Sequence, residues 1–164
     1  MEYSLIPKLG SDLLPEEIAA CVKVIREGSA VDPTTAAQEL PYAVAVAIVC
    51  AGEHIVGVGA IKRSRPDYAK RIASAAKSAF AFDPQMNELG YVAVLPAHRG
   101  GRSGPIMNSL LERFSGPLWA TTSEDLMKHS LGNRGFVQKG KEWPSTKGNR
   151  LSLWIKCAQP NRVT

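Results

Sequence analysis

Between Val94 and Pro105 the chain reads VLPAHRGGRSGP, which sets Gly100, Gly101 and Gly104 among Arg99 and Arg102. A strand-like run leads in and a helix-like run leads out. Such a junction points several unpaired main-chain N–H groups at one spot, and the helix dipole adds partial positive charge there. Glycine lets an anion approach the backbone closely, and arginine adds charge-assisted bonds to phosphate oxygens. Two readings stay open at this point: a backbone shaped around a phosphate, and a turn that only reverses the chain. The turn has no lysine followed by Ser or Thr, and no G-x-G-x-x-G opens a βαβ unit, so nucleoside triphosphates and dinucleotides are set aside.

Other reactive residue types form no comparable cluster. Cys21, Cys50 and Cys157 lie far apart and in odd number, without the paired spacings of zinc sites or disulfide frameworks, and are expected to be buried reduced thiols. No metal site is expected. Net charge is +5 with a pI near 9.2, which favours anionic partners without choosing among them. Basic stretches interleaved with aromatic residues are lacking, so composition supports a nucleic-acid-binding domain least. No run of about 18 apolar residues is present to span a bilayer, and the start MEYSLIPKLGSDLLPEE carries acids where a secretion signal needs a basic and then an apolar stretch. A soluble cytoplasmic protein of one domain, residues 1–164, is expected.

The elements that must position the turn follow from periodicity. Ile18, Cys21, Val22 and Ile25 recur at helical spacing between Pro15 and Glu27, with Glu16 and Glu17 in the first turn and Gly28 as the stop. Asp32 and Pro33 open a second short helix that Pro41 ends. Two strand-like runs, 43–51 and 54–62, are joined by Gly52 and Glu53 at hairpin length. A basic helix is expected from Asp67 to Ala79, a strand from Glu88 to Leu95, and a helix carrying Ile106, Met107, Leu110, Leu111 and Phe114 on one side. After it come a strand (117–122), a short helix (124–131) and two strands (136–141 and 151–157) across the PSTKGN loop. The expected order is ααββ(α)βαβαββ.

With that order, VLPAHRGGRSG and the later GNRGF stretch, ending in Gly135 and Phe136, resemble the GNAT superfamily of N-acyltransferases over nearly the whole chain. The family pattern R/Q-x-x-G-x-G/A is met by Arg99 and Gly104. Arg102 stands where the middle glycine is usual, which leaves the backbone donors in place. The resemblance implies an α+β fold with a central, mostly antiparallel, V-splayed sheet flanked by helices. It also implies acetyl-CoA as cosubstrate, its pantetheine arm along Val92, Ala93 and Val94, and its pyrophosphate on Arg99, Gly100, Gly101, Arg102, Ser103 and Gly104.

The implied reaction moves an acetyl group to an amino group of a small molecule, a peptide or an aminoacylated RNA within a ternary complex. An alkyl amine is protonated at neutral pH, so a base is required, and the resemblance assigns it to Glu88. An oxyanion donor is implied near Val92 or Ala93. Leu131 occupies the position of the usual acidic tyrosine, and Ser130 is its stand-in, with His129 beside it. Trp119 and Trp143 are expected in the core or along an acceptor pocket. Nucleic acid is expected only as an aminoacylated acceptor, no membrane partner is expected, and a homodimer is compatible. A non-catalytic acyl-CoA-binding module is the alternative.

Overall fold

A computed structural model describes residues 2–29, 33–78 and 86–158. The strands are β1 (Tyr3–Lys8), β2 (Ala45–Ala51), β3 (His54–Arg63), β4 (Asn87–Val94), β5 (Leu118–Thr122), β6 (Val137–Pro144) and β7 (Arg150–Lys156). The helices are α1 (Pro15–Gly28), α2 (Ala36–Glu39), α3 (Pro66–Ala75), α4 (Ser103–Arg113) and α5 (Asp125–Gly132). Strand order is β1-β2-β3-β4-β5-β7-β6, a mostly antiparallel sheet in an α+β chain, as expected. Two compact units divide it: Met1–Arg63 with Leu89–Phe114, and Ser64–Glu88 with Ser115–Thr164.

In the first unit β1, β2 and β3 pair antiparallel, and the two-residue turn at Gly52 and Glu53 closes the anticipated hairpin. Strand β1 corrects the expected order, which began with a helix. Its Pro7 removes an amide from the ladder, a loss tolerated on the outermost strand of a sheet. Helix α1 buries Cys21, Val24 and Ile25 in a cluster with Val46, Ile48, Val58, Ala60, Tyr91 and Ala93. Helix α4 approaches β3 at Gly59, where a Cβ would lie 2.5 Å from Ile106 Cγ2 and 3.2 Å from Leu110 Cδ1. The glycine is there for that contact.

In the second unit β5, β7 and β6 pair antiparallel, and β7 lies between the other two. The parallel ladder of β4 with β5 is two residues long, Asn87↔Leu118 and Glu88↔Trp119. Ala69, Ile72 and Ala76 pack with Met86, Trp119, Leu153 and Ile155 in a second cluster. Helix α3 is the expected basic helix, shorter at its end; Ala79, like Asp32 of the expected second helix, lies outside the described residues. The cysteines divide: Cys21 is buried and Cys50 half-buried, while Cys157 is exposed, which corrects the expected burial of all three. No helix among the described residues is long and apolar enough to cross a membrane.

Candidate active site

The site grows from the end of β4. Tyr91 sits inside this strand at φ +53°, a left-handed conformation that costs a non-glycine residue about 1–2 kcal/mol. Such a residue breaks the regular alternation of strand amides and kinks the strand. Its surroundings hold it there. The Tyr91 hydroxyl donates to Glu39 Oε2 at 2.8 Å and lies 3.3 Å from Thr35 Oγ1, while Lys62 Nζ stands 4.0 Å from the ring centroid and 3.4 Å from Glu39. Burial pushes the phenol pKa up, and the nearby Lys62 opposes that shift.

Beyond Val94 the chain leaves the sheet. Leu95 N–H donates to Val56 O at 2.8 Å, Pro96–His98 make one tight turn, and Gly100 and Gly101 adopt φ +129° and +79°. A Cβ added at either glycine would meet nothing within 4 Å. Positive φ and open space together expose the backbone at the entrance to α4. Among the described residues the N–H groups of Gly100, Gly101, Arg102 and Ser103 have no protein acceptor. These are the donors an anion needs, and the open space over the glycines is where its oxygens would sit. The residues present therefore fit a diphosphate.

Both arginines of the turn are engaged by the protein itself. Arg99 Nη2 donates to Gly28 O at 3.2 Å, at the C-terminal end of α1, where cations are favoured. The Arg102 guanidinium stacks 3.5 Å from the Tyr3 ring centroid, and its buried Nε has no hydrogen-bond partner. Tyr3 Oη is 3.0 Å from His98 Nδ1, and the two rings meet edge to face. Tyr3 thus joins both sides of the glycine turn, a role sequence reading missed because β1 itself was missed. His98 also borders an open cavity of about 680 Å³ between the start of α1 and the β2–β3 turn, walled by Glu16, Lys23, Cys50, His54 and Leu95.

The predicted site residues fall into two groups. Val92, Ala93, Val94, Arg99, Gly100, Gly101, Arg102, Ser103 and Gly104 lie together in the first unit. Glu88 and Ser130 belong to the second. Glu88 is 8% exposed and faces Trp119 in the β4–β5 ladder. Ser130 is half-buried on α5, with its carbonyl accepting from Arg134 Nη1 at 3.0 Å. Leu131 is core, and its carbonyl accepts from Phe136 N–H. His129 is exposed. Trp119 is fully buried, with its indole N–H on Ser64 Oγ at 2.7 Å, and Trp143 packs against the same cluster, so both read as core.

No family model matches the sequence, and no curated protein matches it. Solved structures do match. An acyl-CoA N-acyltransferase from Pseudomonas aeruginosa aligns at TM-score 0.69 and 14% identity, over 95% of this chain and 100% of that one. A GNAT-family acetyltransferase from Streptococcus agalactiae aligns at 0.68 and 14%, over 95% and 96%. A chain of the NatC complex bound to Gag peptide and CoA aligns at 0.70 and 13%, over 97% and 100%. The fold is that of the GNAT acyltransferases.

Proposed function

We propose that residues 1–164 form one N-acyltransferase domain that takes an acyl group, acetyl in the simplest case, from acyl-CoA and passes it to an amine. One observation carries the reading: among the described residues four successive main-chain N–H groups, from Gly100 to Ser103, stand without a protein acceptor at a helix entrance beside a strand interrupted by a left-handed residue, within this fold. Bound there, the cosubstrate supplies the activated thioester, with its diphosphate on residues 99–104 and its pantetheine arm along Val92–Val94. The neighbour solved with a peptide and CoA carries both kinds of ligand that the proposal requires. A cytoplasmic setting, where acyl-CoA is made, belongs to the same proposal.

The chain's residues then share the proton traffic. Glu88 takes the proton of the acceptor ammonium, directly or through one water, and frees the lone pair that forms the new N–C bond. A main-chain N–H near Val92 or Ala93 donates to the carbonyl oxygen as negative charge develops. As the C–S bond breaks, Ser130 passes its proton to the sulfur and takes up the second proton shed by the attacking nitrogen, which leaves the amide and the free thiol and no alkoxide. A thiol pKa near 8.5 makes this last help modest in size.

Leu131, packed in the core, favours a second reading in which the domain binds acyl-CoA without turning it over. Addition of acetyl-CoA at about a hundred times its Kd should stabilise the fold by ~2.7 kcal/mol under both readings. Free thiol released on adding amine acceptors supports catalysis, and a stabilised protein that releases none with any acceptor class leaves only the binding module. No stabilisation by any acyl-CoA sinks both.

A further inference from the structure

Charge is divided unevenly between the two units. Eight Lys and Arg face nine Asp and Glu in the first, whereas the second carries twelve against six. The excess gathers on α3 and β6. Lys70, Arg71, Lys77, Lys139 and Lys141 are all exposed, and none has a carboxylate partner among the described residues. Elsewhere in the same unit the opposite charges do pair: Lys128 Nζ lies 3.0 Å from Glu142 and 3.6 Å from Asp125, and Arg150 Nε lies 3.6 Å from Glu142.

The backbone brings the two basic segments together. Lys141 N–H donates to Ala76 O at 2.6 Å, which ties the end of α3 to the irregular middle of β6. Gly140, at φ +76°, makes that approach possible, because a Cβ there would overlap the same carbonyl. Lys77, next to Ala76, takes the left-handed conformation at φ +51°. Cations more than sixty residues apart in sequence are thus brought to one junction, Lys77 beside Lys141, and with Lys139 on β6 and Lys70 and Arg71 on α3 they are counted as one row.

We infer that this row is a docking surface for a nucleic-acid strand. Like charges held close repel one another and lower the stability of the bare protein, so a partner that neutralises several at once gains from each. A protein partner would need large apolar anchors. Among the described residues of this unit the exposed large apolar ones are Leu126, on α5, and Val137, at the first residue of β6, too few to anchor a protein partner. Around the row, Arg71 and Arg65 lie 5.2 Å from the ring of Tyr68, which is itself half-buried against Trp119, so the planar surfaces on offer to a base are those of the guanidinium groups. The inference stands on charge and geometry and needs no acyl-CoA.

The test is fluorescence anisotropy of a labelled twenty-nucleotide single-stranded RNA over a salt series, with the full chain. With about five phosphates neutralised, log K should fall against log salt with a slope near −3.5. The variant K70Q/K77Q/K139Q/K141Q should bind at least tenfold more weakly with a slope shallower by about 3, whereas K23Q/R26Q in the first unit should match the wild type. In parallel, RNA should shield Lys70, Lys77, Lys139 and Lys141 of the wild-type chain from an amine-reactive reagent, which reads the surface without any variant. Unaltered binding by the fourfold variant overturns the proposal, as does unshielded labelling. So does preference for a poly-glutamate peptide or anionic vesicles over RNA.

Discussion

Replacing Gly101 by leucine separates the phosphate-binding role proposed for the turn from its role as a bend. At φ +79° a leucine pays a backbone penalty of about 1–2 kcal/mol, and nothing within 4 Å of its Cβ adds a clash. For a chain of 164 residues that is a fall in Tm of roughly 2–8 °C. Gly148, in the β6–β7 turn at φ +81° and also with nothing within 4 Å, is the matched control and should lose as much on the same change. The two variants diverge when acetyl-CoA is added. Wild type and Gly148→Leu should gain ~2.7 kcal/mol at a hundred times the wild-type Kd, which raises Tm by about 5–11 °C. Gly101→Leu fills the space over the unclaimed N–H groups, and a hundredfold loss of affinity would leave it ~0.4 kcal/mol at that concentration. Differential scanning fluorimetry reads both differences. A full acetyl-CoA shift in Gly101→Leu would refute the assignment of the turn.

Glu88→Gln should keep the acyl-CoA shift and lower kcat by ~10²- to 10⁴-fold; normal turnover in a thiol-release assay removes Glu88 from the proton path. Tyr3→Ala takes away the platform under Arg102 and the bond to His98, so the Kd for acyl-CoA should rise about two- to tenfold by calorimetry, and Tyr3→Phe, which keeps the platform, should lose less. Glu17 is held below its ordinary pKa by the hydrogen bond from Lys8 and then by the Leu14 N–H, so its contribution is present above about pH 4.5 and lost as pH falls through the lower folded value. Urea midpoints measured from pH 6 to pH 3 should therefore fall less steeply in Lys8→Met than in wild type.

Local features were legible in the sequence. The hairpin is set by Gly52 and Glu53, α1 by its periodic apolar face and Gly28, and the turn into α4 by three glycines within five residues. Each of these signals lies within a few residues of what it controls. Strand β1 was not legible, because Pro7 argues against a strand unless the strand is known to lie at an edge. The kink at Tyr91 has no local mark beyond Gly90; it is maintained by Thr35, Glu39 and Lys62, which only the fold brings there. The arginines flank the glycines, which is what points them at an anion. Their partners are Gly28, 71 residues before Arg99, and Tyr3, at the far edge of the sheet, and no spacing rule reaches so far.

With Arg99 capping α1 and Arg102 stacked on Tyr3, both guanidinium groups keep their charge but direct it at the protein, so the direct contacts to an anion at the turn are left chiefly to neutral amides and a helix dipole, in a unit where nine acids face eight bases. Fixed dipoles at contact distance attract an anion without a long-range field, so added salt screens only the share contributed by the two arginines. The row on α3 and β6 works by the opposite means, through mobile full charges at the surface and the release of counterions. Salt should therefore distinguish the two anion sites. Raising KCl from 50 to 200 mM, a fourfold change, should weaken acetyl-CoA binding only severalfold by calorimetry, while single-stranded RNA at a slope near −3.5 should lose about a hundredfold. Equal salt dependence would mean that both ligands draw on one set of cations, and either the turn or the row would then have been misassigned. Competition decides which: RNA that displaces acetyl-CoA points to the turn, and indifference to acetyl-CoA returns the question to the arginines, whose guanidinium groups would have to leave Gly28 and Tyr3 to meet the phosphates.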